Sequence, residues 1–205
     1  AQLRGCRDVG EALGIPCFAD DRYEADDLIA TLCAPLVKRK HDVVVTTIDK
    51  DMAQLVSPSV TFFNWAKGER FGPEEVKERF GVRPEQIVDF LGLAGDAVDN
   101  IPGVKGVGPK TAIALLGAFD DLDELYGDLD RVADLEIRGA RTLGAKLEAA
   151  KDLAFLSREL ATVSTEAPAS ATLQELKLQG PNREVAADLF ARWGFGALEK
   201  RFRGA

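Results

Sequence analysis

The stretch His-Asp-Val-Val-Val-Thr-Thr-Ile-Asp-Lys-Asp, at residues 41–51, carries most of the information about the fold of this chain. Residues 43–47 are all β-branched, a pattern typical of a strand that is buried on both faces of a parallel sheet. Two acids follow this run directly. Because sites in open α/β sheets form at the carboxyl ends of strands, the stretch predicts both a sheet and a polar site at its edge.

Over residues 1–100, short β-branched runs alternate with longer helical patterns. The predicted elements are strands at 15–19, 43–47 and 60–64 and helices at 23–38, 73–80 and 84–93. Pro73 and Pro84 stand at the first positions of the last two helices, where proline is favoured. This alternation predicts an α/β fold with a central, mostly parallel sheet flanked by helices.

The second half of the chain has a different pattern. From Val107 to Phe202 it is mostly helical, with a polar break at 164–172. Its predicted elements are one long helix at 139–163, a later helix at 183–193, and either a short strand or a linker at 173–178. We therefore expect an α/β core at residues 1–100 and a helical region at residues 101–205.

The composition is that of a globular protein. The 205 residues are 46% hydrophobic and 29% charged, and the apolar runs are too short to span a bilayer. No signal peptide is visible at the start, so we expect a cytoplasmic protein without a membrane partner. The three cysteines are not spaced as zinc ligands, which favours reduced thiols over a metal framework.

Acidic residues cluster in three places, each beside a turn or the end of a predicted element. They are Glu24, Asp26 and Asp27; Asp49 and Asp51; and Asp96 and Asp99. Each group alone fits a structural role, because acids complement the start of a helix and cap it. Together they would repel one another unless cations neutralised them. The sequence therefore predicts a site for divalent ions, and two such ions could bind both the attacking and the leaving oxygen of a phosphodiester.

The net charge of −8 argues at first against a nucleic-acid partner, since phosphate binding normally requires a basic balance. The acids assigned to the metal site account for most of this excess. The rest of the surface is close to neutral, so the overall charge does not exclude nucleic acid.

The stretch Ile-Pro-Gly-Val-Lys-Gly-Val-Gly-Pro-Lys-Thr-Ala, at residues 101–112, is the most specific local motif. Pro109 suits the first turn of a helix, and the free N–H groups at that helix start, with Lys105 and Lys110 nearby, predict a phosphate site. The glycine order argues against a dinucleotide loop, and the inserted proline argues against a Walker loop. A helix-hairpin connector without a ligand remains open.

With these motifs in view, the chain resembles the 5′-nuclease domain family of bacterial DNA polymerase I and stand-alone flap endonucleases and exonucleases, over about residues 14–163. The motifs that carry the resemblance are Tyr-Glu-Ala-Asp-Asp-Leu-Ile at 23–29, Asp-Lys-Asp-Met-Ala-Gln-Leu-Val at 49–56, Gly-Asp-Ala-Val-Asp-Asn-Ile-Pro-Gly-Val at 95–104 and Gly-Val-Gly-Pro-Lys-Thr-Ala at 106–112. Their combination and order are highly specific.

The resemblance implies a PIN-like core and a helix–three-turn–helix element at about 101–118 that grips duplex DNA. It implies a catalytic site with two Mg²⁺ or Mn²⁺ ions, formed by Glu24, Asp26, Asp27 and Asp49 and completed or supported by Asp51, Asp96 and Asp99. The DNA contacts expected in the hairpin are Gly103, Lys105, Gly106, Gly108, Lys110 and Thr111. The backbone carbonyls of Val104 and Val107 are candidates for a potassium ion.

The implied reaction is hydrolysis of DNA near a 5′ flap or a single-strand to double-strand junction, in replication and repair. The sequence does not reveal the oligomeric state, and a monomer is the expectation. Family members usually begin with a strand that ends in a metal-binding Asp and continue into a basic arch, so we expect this chain to start within the family's domain. In addition, Ile48 stands where the family commonly has glycine. These departures motivate a second hypothesis, a homologue that binds DNA junctions without cleaving them. A third, a phosphatase of small phosphate esters, does not explain the glycine hairpin.

Overall fold

The β-branched run forms strand β1 (Val43–Thr46), which lies at the edge of a three-stranded sheet. Of its side chains Val45 is buried, whereas Val44 is 44% exposed. The predicted burial of both faces is therefore wrong. An edge strand in this short sheet has its core-facing side covered and its other side open, as Val44 shows.

The second predicted strand is β2 (Val60–Asn64), and a third strand, β3 (Glu69–Phe71), follows it. In this computed structural model, which describes residues 2–204, β1 pairs with β2 in parallel and β2 pairs with β3 antiparallel. The α/β class is confirmed, with a sheet that is small and mixed. Strand β3 escapes prediction because two of its three residues are charged. It forms through pairing, with the Phe71 ring 5.4 Å from that of Phe62.

The predicted strand at 15–19 is wrong, since these residues form neither helix nor strand. Gly14 turns the chain with a φ of 80°, and Pro16 has no N–H to donate to a ladder. Ile15 and Phe18 are 46% and 39% exposed, so the apolar run has no sheet to pack into.

Residues 33–165 form one compact unit, which contains the sheet and a large helical core. Its helices are α3 (Pro73–Phe80), α4 (Ile87–Ala94), α5 (Pro109–Ala118), α6 (Leu122–Gly127), α7 (Ala140–Ala149) and α8 (Lys151–Ala161). Short 3₁₀ turns lie at Asp51–Leu55, Pro84–Gln86 and Leu129–Asp134. Helix α4 packs against both α5 and α8.

The single long helix predicted at 139–163 is in fact two helices, α7 and α8, separated at Ala150. Ala150 has φ −112° and ψ 13°, outside the helical region. At this point the Leu147 carbonyl accepts hydrogen bonds from the Tyr126 hydroxyl, at 3.2 Å, and from the Ala150 N–H, at 3.0 Å. The helical periodicity continues through the break, because both helices present apolar faces to the same core.

Residues 2–32 and 166–204 form the other compact unit. It contains α1 (Gln2–Ala12), the first part of α2 (Ala25–Lys38), α9 (Arg183–Arg192) and α10 (Gly196–Arg203). Ala12, Ala186 and Phe190 form its small core. The segment at 173–178 contains no strand. Across residues 2–204, every helix is too short or too polar to cross a membrane.

Candidate metal centre and nucleic-acid interface

Three of the predicted acids come together within the unit of residues 33–165. Asp51 begins the 3₁₀ turn that follows β1, and Asp96 and Asp99 lie in the connection between α4 and α5. One carboxylate oxygen from each of these residues lies within 4.8 Å of the other two. We call this group the carboxylate cluster. Such a set of oxygen donors suits a hard divalent cation.

The α4–α5 connection holds Asp96 in a fixed position. Gly95 ends α4 with a φ of 70° and donates its N–H to the Leu91 carbonyl. Asp96 and Ile101 then exchange two backbone hydrogen bonds of 2.8 Å, which close the loop between them. The Asp96 carboxylate also accepts a 2.8 Å hydrogen bond from the N–H of Val98. These hydrogen bonds place Asp96 at the base of the loop rather than at its tip.

The carboxylate cluster is electrostatically unbalanced. Burial, reinforced by the negative charges of Asp49, Asp99 and Asp96, raises the pKa of Asp51 to about 6. A hydrogen bond from the Lys50 ammonium lowers the pKa of Asp96 and outweighs the effect of its burial. The Asp51 carboxylate thus resists ionisation while that of Asp96 favours it, as expected where like charges crowd together and the Lys50 ammonium hydrogen-bonds to one of them.

Asp51 also has a buried oxygen that lacks a hydrogen-bond partner. Among the described residues, its Oδ1 accepts no hydrogen bond, and the Lys50 ammonium lies 3.7 Å away, beyond hydrogen-bonding distance. Buried acceptors are normally satisfied, so this oxygen needs an explanation. The donor chemistry and the unsatisfied oxygen together fit a divalent ion held by Asp51, Asp96 and Asp99.

Asp49 supports the backbone next to the cluster. Its carboxylate accepts a 3.0 Å hydrogen bond from the N–H of Asp51, and its own N–H donates to the Thr47 hydroxyl at 3.0 Å. These contacts are those of a turn-capping residue. Ile48 is 78% exposed, so its branched side chain points away from the packed interior.

The first acidic group lies at the start of helix α2. Asp26 and Asp27 occupy its first turn, and Glu24 precedes it. The Asp27 carboxylate, at the third position of the helix, accepts a 3.2 Å hydrogen bond from the N–H of Glu24, a contact that occurs in capping boxes. These residues belong to the unit of residues 2–32 and 166–204. Their convergence with the carboxylate cluster stays a prediction.

The glycines of the hairpin have two different environments. Gly103 has a φ of 59°, and a side-chain Cβ there would lie 2.3 Å from the Gly95 nitrogen, so close packing requires this glycine. By contrast, a Cβ on Gly106 or Gly108 would meet no atom within 4 Å. The backbone at Gly106 and Gly108 is therefore open to a ligand, whereas Gly103 has a packing role of its own.

Helix α5 begins at the surface, next to two exposed lysines. Gly108 precedes it in an extended conformation, and its carbonyl accepts hydrogen bonds of 3.0 Å from the N–H groups of Thr111 and Ala112. Lys105 and Lys110 are both exposed. An open helix start beside lysines can attract a phosphate.

The Val104 and Val107 side chains anchor the hairpin in the core, being 3% and 4% exposed. The Val104 carbonyl accepts a 2.9 Å hydrogen bond from the Val107 N–H. A carbonyl oxygen has two lone pairs, so this bond leaves one for a cation. The potassium site remains a prediction.

Sequence reasoning gave little weight to two residues that the structure makes prominent. Lys50, between two acids in the sequence, pairs with Asp51 and also with the distant Asp96, which agrees with a residue that offsets local charge. Ser157 in α8 is fully buried and receives a hydrogen bond from the hairpin. A serine inside a helical apolar pattern was the available signal for Ser157. For Lys50, the neighbouring acids were a signal, but the pairing with Asp96 had none because Asp96 is 46 residues away.

Two family descriptions match consecutive parts of the chain. The description "5′-3′ exonuclease, N-terminal resolvase-like domain" matches residues 1–81, and "5′-3′ exonuclease, C-terminal SAM fold" matches residues 82–184. Together they span most of the sequence, including each predicted acid and the glycine hairpin.

Two curated proteins with similar sequences are a DNA polymerase I and a 5′-3′ exonuclease. The chain is 47% identical over 185 residues to DNA polymerase I of Pseudomonas aeruginosa, covering 90% of this chain and 20% of that protein. It is 37% identical over 183 residues to a 5′-3′ exonuclease of Buchnera aphidicola, covering 89% of this chain and 61% of that one. The chain thus spans about a fifth of the length of the polymerase it matches.

Solved structures share the fold at low sequence identity. T5 5′-exonuclease with bound zinc ions matches with a TM-score of 0.61 and 21% identity, covering 92% of this chain and 60% of that one. The catalytic core of Rad2 in complex with a DNA substrate matches with a TM-score of 0.63 and 15% identity, covering 98% and 69%. At these identities the likeness establishes the fold alone.

Proposed function

The chain belongs to the 5′-3′ exonuclease family, and from this premise we propose that it carries a divalent-metal-dependent 5′-nuclease activity on DNA. The observation that supports the proposal most strongly is the meeting of Asp51, Asp96 and Asp99 around an unsatisfied buried oxygen. A phosphodiester hydrolase needs cations at this kind of acidic site, because the substrate itself is anionic.

In this proposal the carboxylate cluster holds Mg²⁺ or Mn²⁺, and Glu24, Asp26, Asp27 and Asp49 complete a two-ion site. When bound, the ions activate water for attack on the phosphodiester and offset the negative charge that develops on the leaving oxygen. Asp96 contributes a rigid ligand, since the loop around it is closed by hydrogen bonds at both ends. Asp51 contributes an oxygen that no other group in the described chain satisfies.

The DNA grip and the metal centre would share one connection between helices. Asp96 and Asp99 lie at the start of the α4–α5 connection, and Gly106 and Gly108 lie at its end. Backbone N–H groups at the start of α5, with Lys105, Lys110 and Thr111, would bind phosphates and carry no base specificity. Residues 1–100 would then supply the metal-binding core and residues 101–205 the helical grip, with Val104 and Val107 as candidates for potassium.

The proposed substrate is DNA with a 5′ flap or another junction of single and double strands. Contacts confined to the backbone cannot read sequence, so recognition must come from shape. Both an exonuclease and an endonuclease product are compatible with this arrangement. In replication and repair, the proposed activity would remove such 5′ ends from DNA.

A cleavage assay tests the proposal. The chain is incubated with a duplex that carries a labelled 5′ flap, with Mg²⁺, with Mn²⁺ or with EDTA, and DNA binding is measured separately in Ca²⁺. Ion-dependent shortening of the flapped strand is the expected result. The Asp99→Asn variant should lose it, whereas Asp134→Asn, an equal charge change at an exposed position, should not. Binding without cleavage under every ion condition would favour the non-cleaving junction binder instead.

A further inference from the structure

Lys50 lies in contact with the carboxylate cluster. Its ammonium donates a hydrogen bond to the Asp96 carboxylate and lies 3.7 Å from Oδ1 of Asp51. The oxygens of these two acids are also within 4.8 Å of an Asp99 oxygen. The ammonium therefore borders the space in which an ion would have to sit to contact the same three carboxylates.

The two cations would compete for this space. A divalent ion bound by Asp96 would bring two positive charges next to the Lys50 ammonium and would draw on the same carboxylates. The repulsion and the shared carboxylates therefore set Lys50 and the ion in competition at Asp96.

Lys50 has a route out of the cluster. Its side chain is 44% exposed, in contrast to 7% for that of Asp96 and 15% for that of Asp51. A lysine ammonium is a strongly hydrated charge on a flexible stem of four carbons, so it can move into water without unfolding its surroundings. The two deeper acids cannot do so.

We propose that Lys50 is the displaceable counter-charge of the carboxylate cluster: it neutralises Asp96 and Asp51 while no ion is bound, and a divalent cation enters by exchanging with it. The inference rests on the metal centre of the proposed function. Lys50 then has a positioning role. It stabilises the loop when no metal is bound, and by doing so it lowers the affinity of the site for the metal.

Metal binding without DNA separates this role from a purely structural one. The affinities of the wild type and of Lys50→Met for Mn²⁺ are measured by titration calorimetry, and their thermal unfolding is followed in EDTA and in Mn²⁺. Lys50→Met should bind Mn²⁺ tighter by roughly 5- to 150-fold, the usual range for coupling between two binding events. In EDTA it should melt below the wild type, and Mn²⁺ should close that gap.

Lys50→Arg keeps the charge and should keep the weaker affinity, and Lys67→Met serves as a control for loss of an exposed lysine in the β2–β3 hairpin. Should Lys50→Met not fold in EDTA, the same comparison is made with Lys50→Gln. Equal or weaker Mn²⁺ binding by the uncharged variants overturns the inference. If the wild type still cleaves flaps with Mn²⁺, the proposed function survives that result. If neither wild type nor variant binds Mn²⁺, both proposals fail.

Discussion

The backbone N–H of Gly103 donates a 3.1 Å hydrogen bond to the side-chain oxygen of Ser157, which is fully buried in helix α8. The two residues are 54 positions apart in the sequence. This bond ties the glycine hairpin to the helical core, next to the loop that carries Asp96 and Asp99. The stability of the proposed site thus depends on a residue outside every motif that identifies it.

Replacing Ser157 with alanine should destabilise the protein. The substitution leaves the buried N–H of Gly103 without its partner, which typically costs about 1–3 kcal/mol. Urea unfolding followed by circular dichroism measures the loss. Ser170→Ala, at an exposed position, should change the free energy of unfolding by less than about 0.5 kcal/mol. Equal stability of Ser157→Ala and the wild type would contradict the structural role of this bond.

Gly103→Ala and Gly106→Ala should differ sharply, although both glycines have positive φ. A Cβ at Gly103 would lie 2.3 Å from the nitrogen of Gly95, whereas one at Gly106 would meet open space. Gly106→Ala should therefore cost about 1–2 kcal/mol from backbone strain alone. Gly103→Ala adds a backbone clash and should cost more than about 3 kcal/mol. Thermal unfolding of both variants measures the loss of stability. A similar loss in the two would show that the space around each glycine does not decide the difference.

Replacing Lys105 and Lys110 together with alanine should weaken DNA binding to the same extent for every sequence. Each lost phosphate contact lowers the slope of log K against log salt by about 0.9, so the double variant should be flatter by roughly 2. Fluorescence anisotropy over a salt series measures this slope. Lys77→Ala, at an exposed position of α3, is the control and should leave the slope unchanged. An unchanged slope in the double variant would remove these lysines from the interface.

Asp96→Asn should separate catalysis from binding. Loss of a hydrogen-bond partner behind a metal ligand often lowers activity by ten- to a hundredfold, so loss of a proposed ligand should lower the cleavage rate by at least about 100-fold. DNA affinity in Ca²⁺ should change little, because the grip lies at the other end of the α4–α5 connection. Single-turnover cleavage and anisotropy on the same flap substrate test this. Parallel losses in both would argue against a catalytic role.

Asp89 should make stability depend on pH in the mildly acidic range. Asp89 is 4% exposed, and burial raises the pKa of its carboxyl group to about 6, although the charge of Arg158 acts in the opposite direction. Because the folded state then holds the proton more tightly than the unfolded chain, Asp89 contributes more stability as pH falls from about 6 towards 4. The ionised group is a net cost above pH 6.

The Asp89→Asn variant isolates this contribution from those of the other acids. Relative to the variant, the wild type should gain up to about 3 kcal/mol of unfolding free energy between pH 7 and pH 4. Urea unfolding of both proteins across this range gives the difference. Superimposable pH profiles would mean that Asp89 titrates normally in the folded state.

Local patterns predicted the helices and strands whose stability is mainly local. The runs at 43–47 and 60–64 became β1 and β2, and prolines marked the starts of α3 and α5. Elements that depend on distant partners were missed. Strand β3 needs β2 beside it, and the break at Ala150 needs the Tyr126 hydroxyl at the Leu147 carbonyl. Periodicity has no access to either contact.

The sequence by itself determined the family, the class of fold and the types of residue available for chemistry, because motif order, β-branched runs and acidic groups are properties of the linear chain. Tertiary structure alone decided that Asp51 joins Asp96 and Asp99, that Lys50 pairs with Asp96, and that the Ser157 hydroxyl accepts a hydrogen bond from Gly103. Except for Asp96 and Asp99, which share one loop, the residues joined by these contacts are at least 45 positions apart in the sequence. Only the packing of the Asp51–Leu55 turn, α4 and α8 around a common core fixes such distances, and no local pattern encodes them.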